Sequence, residues 1–307
     1  MPSPFTADKA NADKACLVVC ADRQIFDLLA GLLLSLRRLD RRRYHVALID
    51  VGLTPAQREH VAALCDTVVP VDSRLLSPLD PRIAAGIAGA SPFWRAQACR
   101  PYLREYFPGF RHYVHIDADM WVQRTDFLDA AFELMDAGQV VIVPEVDSTY
   151  AHVSTLSDNQ HYFHVKREVT RQIFGETIAA QSGTVHHFNT GFFGMRHDLP
   201  HWDLFKRYLV EAYKPGYHHL TEQITFGLVL LNLGAVTCLP AVCNWMCNLA
   251  PPVRNADGEW CSPVFPHEPI RLLHLTGTNK LERYRPLGLL YDEGRYLDAL
   301  PAGAAAP

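Results

Sequence analysis

The order of apolar and polar residues along the first half of the chain alternates between strand-like and helix-like segments. Residues 15–20 form a short apolar run that is typical of a buried strand, and residues 25–39 carry apolar side chains at helical spacing. A second strand-like run covers residues 44–49. Thr54-Pro55 then predicts a helix start, because proline is favoured at the first helical position. Strands that alternate with helices predict a parallel α/β sheet with right-handed connections.

The alternation continues to about residue 145 and then becomes irregular. Further apolar runs predict strands at residues 67–69, 112–116 and 139–143. A loop rich in Pro and Ser is expected after the first of these, and residues 95–107 predict a helix interrupted near Pro101. Thr125 or Asp126 is expected to cap a helix with one apolar face. The second half is rich in aromatic residues and histidines, and we expect it to wrap one edge of the sheet and shape a second pocket.

Two acidic residues follow the apolar run at residues 112–116, in the order Asp117-Ala118-Asp119. Successive side chains of a strand alternate between its faces, so Asp117 and Asp119 are expected to project in the same direction from its carboxyl end. Carboxylates held this close repel each other, and a hard divalent cation with oxygen ligands relieves the repulsion. Ligands of open α/β sheets bind beyond the strand ends. The alternative is a pair of solvated aspartates in a turn.

The composition is that of a soluble globular protein and restricts the classes of partner. The chain has 307 residues, of which 49% are hydrophobic and 20% charged, and this length is sufficient for one large α/β core. The net charge of −4 provides no basic surface of the kind that binds nucleic acid. A local basic cluster is explained by the end of a predicted helix, where cations complement the helix dipole; contact with anionic lipid is the alternative. Its members are Arg37, Arg38, Arg41, Arg42 and Arg43.

No export signal or membrane-spanning segment is expected from the sequence. Residues 1–14 are polar, and charged residues interrupt the apolar stretch from residue 16 to residue 36. The eight cysteines are scattered, and we expect them to be the reduced thiols of a cytoplasmic protein. Cys243, Cys247 and Cys261 with His267 match no common zinc-site spacing. Residues 300–307 are rich in Ala, Gly and Pro and, like residues 1–14, are expected to be flexible.

Further polar motifs stand where a predicted strand or helix begins or ends. They are Asp22 after the first strand, Asn189 and Gly191 in the strand-like stretch 188–193, Glu222 and Gln223 at a helix start, and His274, Gly277 and Lys280 after the last strand. The Asp22 carboxylate could accept a hydrogen bond from a nucleotide base or cap the next helix. Gly191 permits close approach of a ligand to the backbone. The C-terminal motif combines an imidazole, a flexible backbone and a cation.

In this order, the motifs resemble those of the family 8 retaining glycosyltransferases, the group that contains glycogenin and bacterial lipopolysaccharide galactosyl- and glucosyltransferases. The resemblance extends from Cys16 to Lys280. It implies a GT-A fold, an α/β fold in which a Rossmann-like nucleotide-binding sheet merges with a smaller acceptor-binding part. We therefore predict one GT-A domain over residues 1–307, with a nucleotide-sugar-binding half at residues 15–145 and an acceptor-binding and metal-completing half at residues 146–290.

The resemblance also implies the ligands and the residues that bind them. Asp117, Asp119 and His274 would bind Mn²⁺ or Mg²⁺, which bridges the two phosphates of a UDP-sugar donor. The other donor-binding residues would be Asp22 at the uracil, Arg100 (with Arg95 as a competing choice), Asn189, Gly277 and Lys280. The catalytic residues at the transferred sugar would be Glu222, Gln223 and Asp147. Together the cation and a lysine would neutralise charge on the departing UDP.

The implied activity is transfer of a hexose from a UDP-sugar to a saccharide acceptor with retention of anomeric configuration, in bacterial polysaccharide or lipopolysaccharide synthesis. A front-side reaction, in which the leaving phosphate takes the acceptor proton, is favoured because Gln223 is a poor nucleophile; attack by Glu222 is the other route. The alternatives are an inverting GT-A transferase with Asp147 or Glu222 as base and an inactive nucleotide-sugar binding protein. A lipid-linked acceptor would bring the protein to the cytoplasmic face of a membrane.

The sequence departs from the family pattern at three places. Leu281-Glu282 follow Lys280 where the family commonly has Pro-Trp, so acceptor or lid contacts are expected to differ there. Glu222 replaces a more usual aspartate and is one methylene longer. The stretch at residues 148–184 has no match in the family pattern. The residues in it that are expected to line either an acceptor pocket or a solvated flap are His152, His161, Tyr162 and His164.

Overall fold

The apolar runs of the first half fold into the strands of a mixed sheet that has buried residues on both faces. The computed structural model describes residues 14–290 apart from residues 38, 73, 74, 76, 91, 92 and 184. The terminal segments predicted to be flexible therefore lie outside the described residues, except for residue 14. Arg38 of the basic cluster and Thr184 of the unmatched stretch also lie outside them.

The described strands form one main sheet and two small ones. They are β1 (Ala15–Asp22), β2 (Tyr44–Gly52), β3 (Thr67–Pro70), β4 (His112–Ile116), β5 (Met120–Val122), β6 (Val140–Pro144), β7 (Phe188–Arg196), β8 (Val236–Cys238), β9 (Trp245–Met246), β10 (Val253–Arg254), β11 (Trp260–Cys261) and β12 (Leu272–His274). The main sheet has the strand order β3-β2-β1-β4-β7-β6-β8. The small sheets are β5-β12-β9 and β10-β11.

The helices connect these strands and cover the main sheet. They are α1 (Phe26–Leu36), α2 (Pro55–Ala62), α3 (Pro81–Ala90), α4 (Trp94–Ala98), α5 (Leu103–Tyr106), α6 (Asp126–Asp136), α7 (Ala151–Ser154), α8 (Leu156–Phe174), α9 (Glu176–Ser182), α10 (His201–Tyr213), α11 (Thr221–Leu233) and α12 (Lys280–Tyr284). None of them, within the described part of the chain, has the length and apolar character needed to cross a membrane.

The predicted parallel sheet is confirmed for all of its strands except β7. Strands β3, β2, β1 and β4 are parallel neighbours, and β6 pairs parallel with β8. Strand β7 runs antiparallel to both β4 and β6, between which it lies. The expectation that the second half wraps one edge of the sheet is therefore wrong for this strand, which comes from the second half and lies inside the sheet.

A helix occupies part of the segment that was expected to be a loop. Helix α3 begins at Pro81, and the Asp80 carboxylate accepts a hydrogen bond of 2.8 Å from the backbone N–H of Arg82. This is the same kind of start signal as Thr54-Pro55, whose threonine caps α2. The Asp-Pro pair and the alanines that follow it favour a helix, and the Pro and Ser content of the surrounding segment hid that signal.

The main sheet is buried on both faces, which explains its continuous apolar runs. Along β1, Leu17 and Val19 belong to the hydrophobic cluster on one face, and Cys16 and Val18 to the cluster on the other. Strands covered on both faces lose the alternation of apolar and polar residues that marks a half-exposed strand. The sheet therefore offers its strand ends, and not its faces, to a ligand.

The small sheet β5-β12-β9 brings the C-terminal motif to the aspartate pair. Strand β12 pairs antiparallel with β5, so that His274 lies opposite Met120, and the backbone N–H of Leu275 donates to the carbonyl of Asp119 at 2.8 Å. On its other side β12 pairs with β9, which places His274 opposite Met246. This pairing fixes the imidazole beside residues that are far away in the sequence.

Removing the His187 imidazole is expected to reduce the loss of stability in acid. Burial lowers the pKa of His187 to about 4, although the Glu145 carboxylate opposes that shift. Between about pH 6.5 and pH 4 the unfolded chain therefore binds more protons at this residue than the folded one, and the free energy of unfolding falls as the pH falls. As the pH falls across this window, we expect the free energy of unfolding of wild type to decrease by up to about 3 kcal/mol more than that of His187→Gln, as measured by urea unfolding. Parallel pH profiles would contradict this.

Candidate active site

The aspartate pair lies in a tight turn that directly follows β4. The backbone N–H of Asp117 donates to the carbonyl of Gly191 in β7 at 2.7 Å, and the N–H of Met120 donates back to the carbonyl of Asp117 at 3.1 Å. Strand alternation is therefore the wrong reason for the proximity of the two carboxylates. The turn itself holds them at the carboxyl end of β4, and neither is freely solvated, since the side chains of Asp117 and Asp119 are 22% and 8% exposed.

One oxygen of each carboxylate is held by neighbouring side chains, and the other lies near His274. Asp117 Oδ1 accepts from Arg100 Nη2 at 2.5 Å and lies 3.0 Å from His115 Nε2. Asp119 Oδ2 forms an ion pair with Lys280. The remaining oxygens, Asp117 Oδ2 and Asp119 Oδ1, lie 3.9 Å and 3.4 Å from His274 Nε2. Two oxygens and one ring nitrogen thus converge.

This group has the donor set of a divalent-cation site. Within the described residues, Asp117, Asp119 and His274 each offer a ligand atom, and these atoms all lie within 4.8 Å of one another. His274 Nδ1 makes a 2.9 Å hydrogen bond with Asn244 Oδ1, which leaves the Nε2 lone pair directed at the carboxylates. Two carboxylates and one imidazole suit Mn²⁺ among the common divalent cations. The residues present therefore fit the metal that the sequence implied.

Charged neighbours keep both aspartates ionised in spite of their burial. Burial opposes ionisation of Asp119, but the Lys280 ammonium outweighs it, and the pKa of this carboxyl lies well below its usual range. Burial likewise opposes ionisation of Asp117, and the Arg100 guanidinium outweighs it so that the pKa is lowered. Both carboxylates are therefore available as anionic ligands at neutral pH.

Arg100 is a buried cation that joins the aspartate turn to helix α11. Its guanidinium donates to Thr190 Oγ1 at 2.8 Å, to Glu222 Oε2 at 2.7 Å and to Asp117 at 2.5 Å. Its side chain is only 3% exposed. The sequence predicted that Arg100 binds the donor. The structure shows it at the wall of the cleft with its guanidinium engaged by these protein groups. Arg95, the competing choice, is exposed and packs over the Trp94 ring.

Glu222 and Gln223, adjacent on α11, lie in different surroundings. The Glu222 side chain is fully buried beside Arg100 and Thr190, and burial raises its pKa to about 7 although Arg100 opposes the shift. Gln223 lines the cleft and donates from Nε2 to Glu145 Oε1 at 2.9 Å. Neighbouring residues of a helix point about 100° apart, which explains the difference. Gln223, and not Glu222, faces the cleft.

A chain of hydrogen bonds connects His274 to Gln223. Asn244 donates from Nδ2 to Asn189 Oδ1 at 2.9 Å, and Asn189 donates from Nδ2 to Glu145 Oε1 at 2.8 Å. Glu145 Oε1 is also the acceptor for Gln223. Each amide in the chain is thereby held in one orientation. Asn189 was predicted as a donor-binding residue, and the structure places it in the middle of this chain.

Glu145 and Asn244 are the residues of the site that sequence reasoning missed. Glu145 follows the last residue of β6, as Asp117 follows the last residue of β4, so the signal was present. Asp147 was chosen instead, and its Oδ1 accepts from the backbone N–H of Thr149 at 2.9 Å and closes a local turn. No comparable signal marks Asn244 in the sequence, because its role depends on the long-range pairing of β9 with β12.

These residues surround a cleft of about 340 Å³ at the carboxyl ends of β1 and β4. The predicted site residues that line it are Asp22, Arg100, Asp117, Asp119, Asn189, Gln223, His274 and Lys280. Asp22 also caps the turn at Arg23–Ile25 by accepting from the Gln24 N–H at 2.8 Å, so it both caps this turn and lines the cleft. Glu222, Asp147 and Gly277 are not among its described lining residues.

Replacing Asn244 with alanine is expected to weaken metal binding without abolishing it. The variant loses the hydrogen bond that orients the His274 ring, and loss of such a partner typically costs about 10–100-fold in metal affinity. Titration of free Mn²⁺ by electron paramagnetic resonance measures the effect. Asn232→Ala is the matched control, since Asn232 is an exposed residue that donates to Tyr208. An Asn244→Ala protein that binds Mn²⁺ as wild type does would show that the amide does not position the ring.

The strand order and the acidic cluster at the end of β4 agree with the predicted GT-A fold, and solved structures confirm that fold. No family profile matches the chain, and no characterised protein is significantly similar to it in sequence. Solved structures are similar in three dimensions. Galactosyltransferase LgtC in complex with donor and acceptor sugar analogs is 18% identical with a TM-score of 0.52, and the match covers 92% of this chain and 99% of that chain. The bifunctional glycosyltransferase WbbM is 14% identical with a TM-score of 0.54, and the match covers 87% of this chain and 46% of that chain. Mouse xyloside xylosyltransferase 1 is 16% identical with a TM-score of 0.50, and the match covers 87% of this chain and 97% of that chain.

Proposed function

We propose that the protein is a metal-dependent glycosyltransferase that transfers a hexose from a UDP-sugar to a saccharide acceptor with retention of anomeric configuration. The observation that carries the proposal is the cluster of Asp117, Asp119 and His274 at the floor of a cleft in a GT-A fold. The donor class follows the resemblance of the motifs to the family 8 enzymes. A role in the synthesis of a bacterial surface polysaccharide, at the cytoplasmic face of the membrane, is part of the same proposal.

The two aspartates and the histidine would hold Mn²⁺ or Mg²⁺. A cation bound there supplies positive charge to the donor's diphosphate and stabilises the departing UDP. Lys280 adds a second positive charge at the edge of the same cleft, where it contacts Asp119. Arg100 supports the site from behind, since its guanidinium fixes Asp117 and keeps that carboxyl ionised. The site is therefore suited to an anionic leaving group.

Gln223, Asn189 and Glu145 would surround the transferred sugar. An amide is a poor nucleophile, and Glu222 is buried beside Arg100, so neither adjacent residue of α11 is suited to attack the sugar. These two facts support a front-side reaction in which the acceptor hydroxyl enters on the side of the leaving group. In that reaction the acceptor proton passes to the departing phosphate. Gln223 and Asn189 orient the sugar by hydrogen bonds.

Glu145 supports a second candidate function, that of an inverting transferase. Its carboxylate lines the cleft, and a carboxylate beside the acceptor hydroxyl can act as the general base of that reaction. This assignment replaces Asp147 and Glu222, which the sequence suggested for the same role. The configuration of the product separates the two functions. A product with the donor's anomeric configuration supports retention, and the opposite anomer supports inversion by Glu145.

The proposed donor class is tested by thermal unfolding with a panel of nucleoside diphosphates and nucleotide sugars in Mn²⁺. A ligand that binds the native state raises the melting temperature by mass action, so no acceptor is needed. We expect uridine nucleotides to give the largest shifts and one UDP-hexose to be slowly hydrolysed. Binding without hydrolysis or transfer to any acceptor would identify an inactive nucleotide-sugar binding protein. A larger shift with another base would contradict the UDP assignment.

A further inference from the structure

A second cleft of about 360 Å³ adjoins the first one. It lies against α7 and the first half of α8, which belong to the stretch without a match in the family pattern. Glu145, Leu220 and Met246 line both clefts, so the two share one wall. A volume of this size is within the range of small-molecule sites, about 300–1,000 Å³. A ligand in the second cleft would therefore lie next to a sugar in the first.

The Glu145 carboxylate connects the two clefts through its two oxygens. Oε1 is saturated on the first side by the amides of Asn189 and Gln223. Oε2 lies 3.5 Å from Tyr162 Oη, which is the long limit of a hydrogen bond, and so it retains capacity to accept from a hydroxyl. This side chain is only 9% exposed. A buried carboxylate oxygen with unused acceptor capacity beside a cleft is suited to bind a hydroxyl group.

Packing within the protein fixes the aromatic wall of the second cleft. The rings of Tyr162 and His152 stack with centroids 4.4 Å apart and planes 18° apart. Tyr162 Oη accepts from the backbone N–H of His187 at 2.7 Å, and His152 Nε2 contacts the carbonyl of Glu145 at 2.7 Å. Because these rings are already held in place, binding a ligand would cost little side-chain entropy.

The charge of the second cleft distinguishes between classes of ligand. Among its described lining residues there is no lysine or arginine, whereas Glu145 and Asp158 supply two carboxylates. The ammonium of the nearby Lys166 donates hydrogen bonds to the backbone carbonyls of Ser182 and Val185. Apolar groups of Val165, Met246 and Leu249 form much of the rest of the wall. This combination repels an anionic group and offers both hydroxyl acceptors and apolar surface.

We propose that the second cleft is the acceptor subsite and that it takes an uncharged sugar unit, one of whose hydroxyls binds Glu145 Oε2. The proposal rests on the proposed glycosyltransferase function, which requires an acceptor beside the donor sugar. An apolar ring face of the sugar packs on Val165, Met246 and Leu249, and Asp158 accepts from a hydroxyl at the rim. Sugars that carry a carboxylate or phosphate at this position are rejected, because two carboxylates, and no lysine or arginine among the described lining residues, face them.

The test compares 4-nitrophenyl glucoside and galactoside with the corresponding glucuronide and galacturonide, in which a carboxylate replaces the 6-hydroxymethyl group. Binding to the full chain is measured by saturation-transfer NMR with UDP and Mn²⁺ present. Val165→Trp fills the cleft, and His164→Trp places the same side chain on an exposed neighbouring position of α8 that does not line it. We expect Val165→Trp to weaken binding of the neutral glycosides by about tenfold or more, with UDP binding unchanged. His164→Trp is expected to resemble wild type.

Each outcome decides between the two proposals. If Val165→Trp loses binding of the neutral glycosides but still binds UDP, the acceptor-subsite proposal is supported. Equal glycoside binding in Val165→Trp and wild type, no glycoside binding in wild type, or preference for the charged sugars overturns it while the donor site stands. Failure of wild type to bind UDP with Mn²⁺ overturns the glycosyltransferase proposal itself. If Val165→Trp does not fold, Val165→Arg replaces it, since a long cationic side chain extends to solvent and is expected to favour the glucuronide.

Discussion

Replacing Arg100 with methionine is expected to destabilise the protein by about 3–5 kcal/mol, because it removes the cation shared by the Asp117 and Glu222 carboxyls in a buried network. The guanidinium contacts both Asp117 and Glu222, and the Glu222 side chain is fully buried. Chemical unfolding at pH 7.5 measures the loss. Weaker metal binding is expected as a secondary effect, since Asp117 loses the guanidinium that donates to its Oδ1.

The double variant Arg100→Met, Glu222→Gln is the control for this prediction. It removes the buried carboxyl together with the cation, so it is expected to recover part of the stability that Arg100→Met loses. A single Arg100→Met variant within about 1 kcal/mol of wild type would contradict this prediction and show that the network around Arg100 contributes little to stability.

Replacing Asp119 with alanine is expected to abolish Mn²⁺-dependent nucleotide binding, with affinity lowered by about a hundredfold or more. The variant removes one of the two carboxylates of the cluster and leaves the Lys280 ammonium facing the remaining ligands. The fold is expected to survive, since Lys280 is about one-third exposed and can turn to solvent. Free Mn²⁺ is measured by electron paramagnetic resonance with and without UDP.

Asp147→Ala is the matched control for the Asp119 variant. Asp147 also carries a carboxylate close to a strand end, but it accepts hydrogen bonds from Thr149 and is not among the described lining residues of the cleft. We expect it to bind Mn²⁺ and UDP as wild type does. Metal-dependent binding that survives in Asp119→Ala, or is lost equally in Asp147→Ala, would contradict the metal assignment.

The sequence predicted most of the main sheet because that sheet is built from local signals. Residues 15–20 and 112–116 are apolar runs that are buried on both faces, and such runs are recognisable without knowledge of their neighbours. The stretch 188–193 was predicted to be strand-like, but the antiparallel direction of β7 and its place inside the sheet were not predicted. Its apolar residues read in the same way in either direction, and its position between β4 and β6 depends on pairing with strands about 80 and 50 residues away, respectively.

The candidate site was predicted where the residue types themselves indicate metal binding. Asp117, Asp119 and His274 were named from the sequence, and the structure brings them together. Glu222 and Gln223 were named as a pair, but helix geometry separates them into a buried partner of Arg100 and a residue of the cleft. A motif identifies which residues are polar at a helix start, and only packing decides which of them is exposed to a ligand.

The most direct test of the central claim is isothermal calorimetry of UDP with wild-type protein in Mn²⁺ and then in EDTA. The cluster of two carboxylates and one imidazole predicts that UDP binds in Mn²⁺ and that the heat disappears in EDTA. Restoring Mn²⁺ should restore binding. Equal binding of UDP in both solutions, or no binding in either, would contradict a metal-dependent nucleotide site at Asp117, Asp119 and His274.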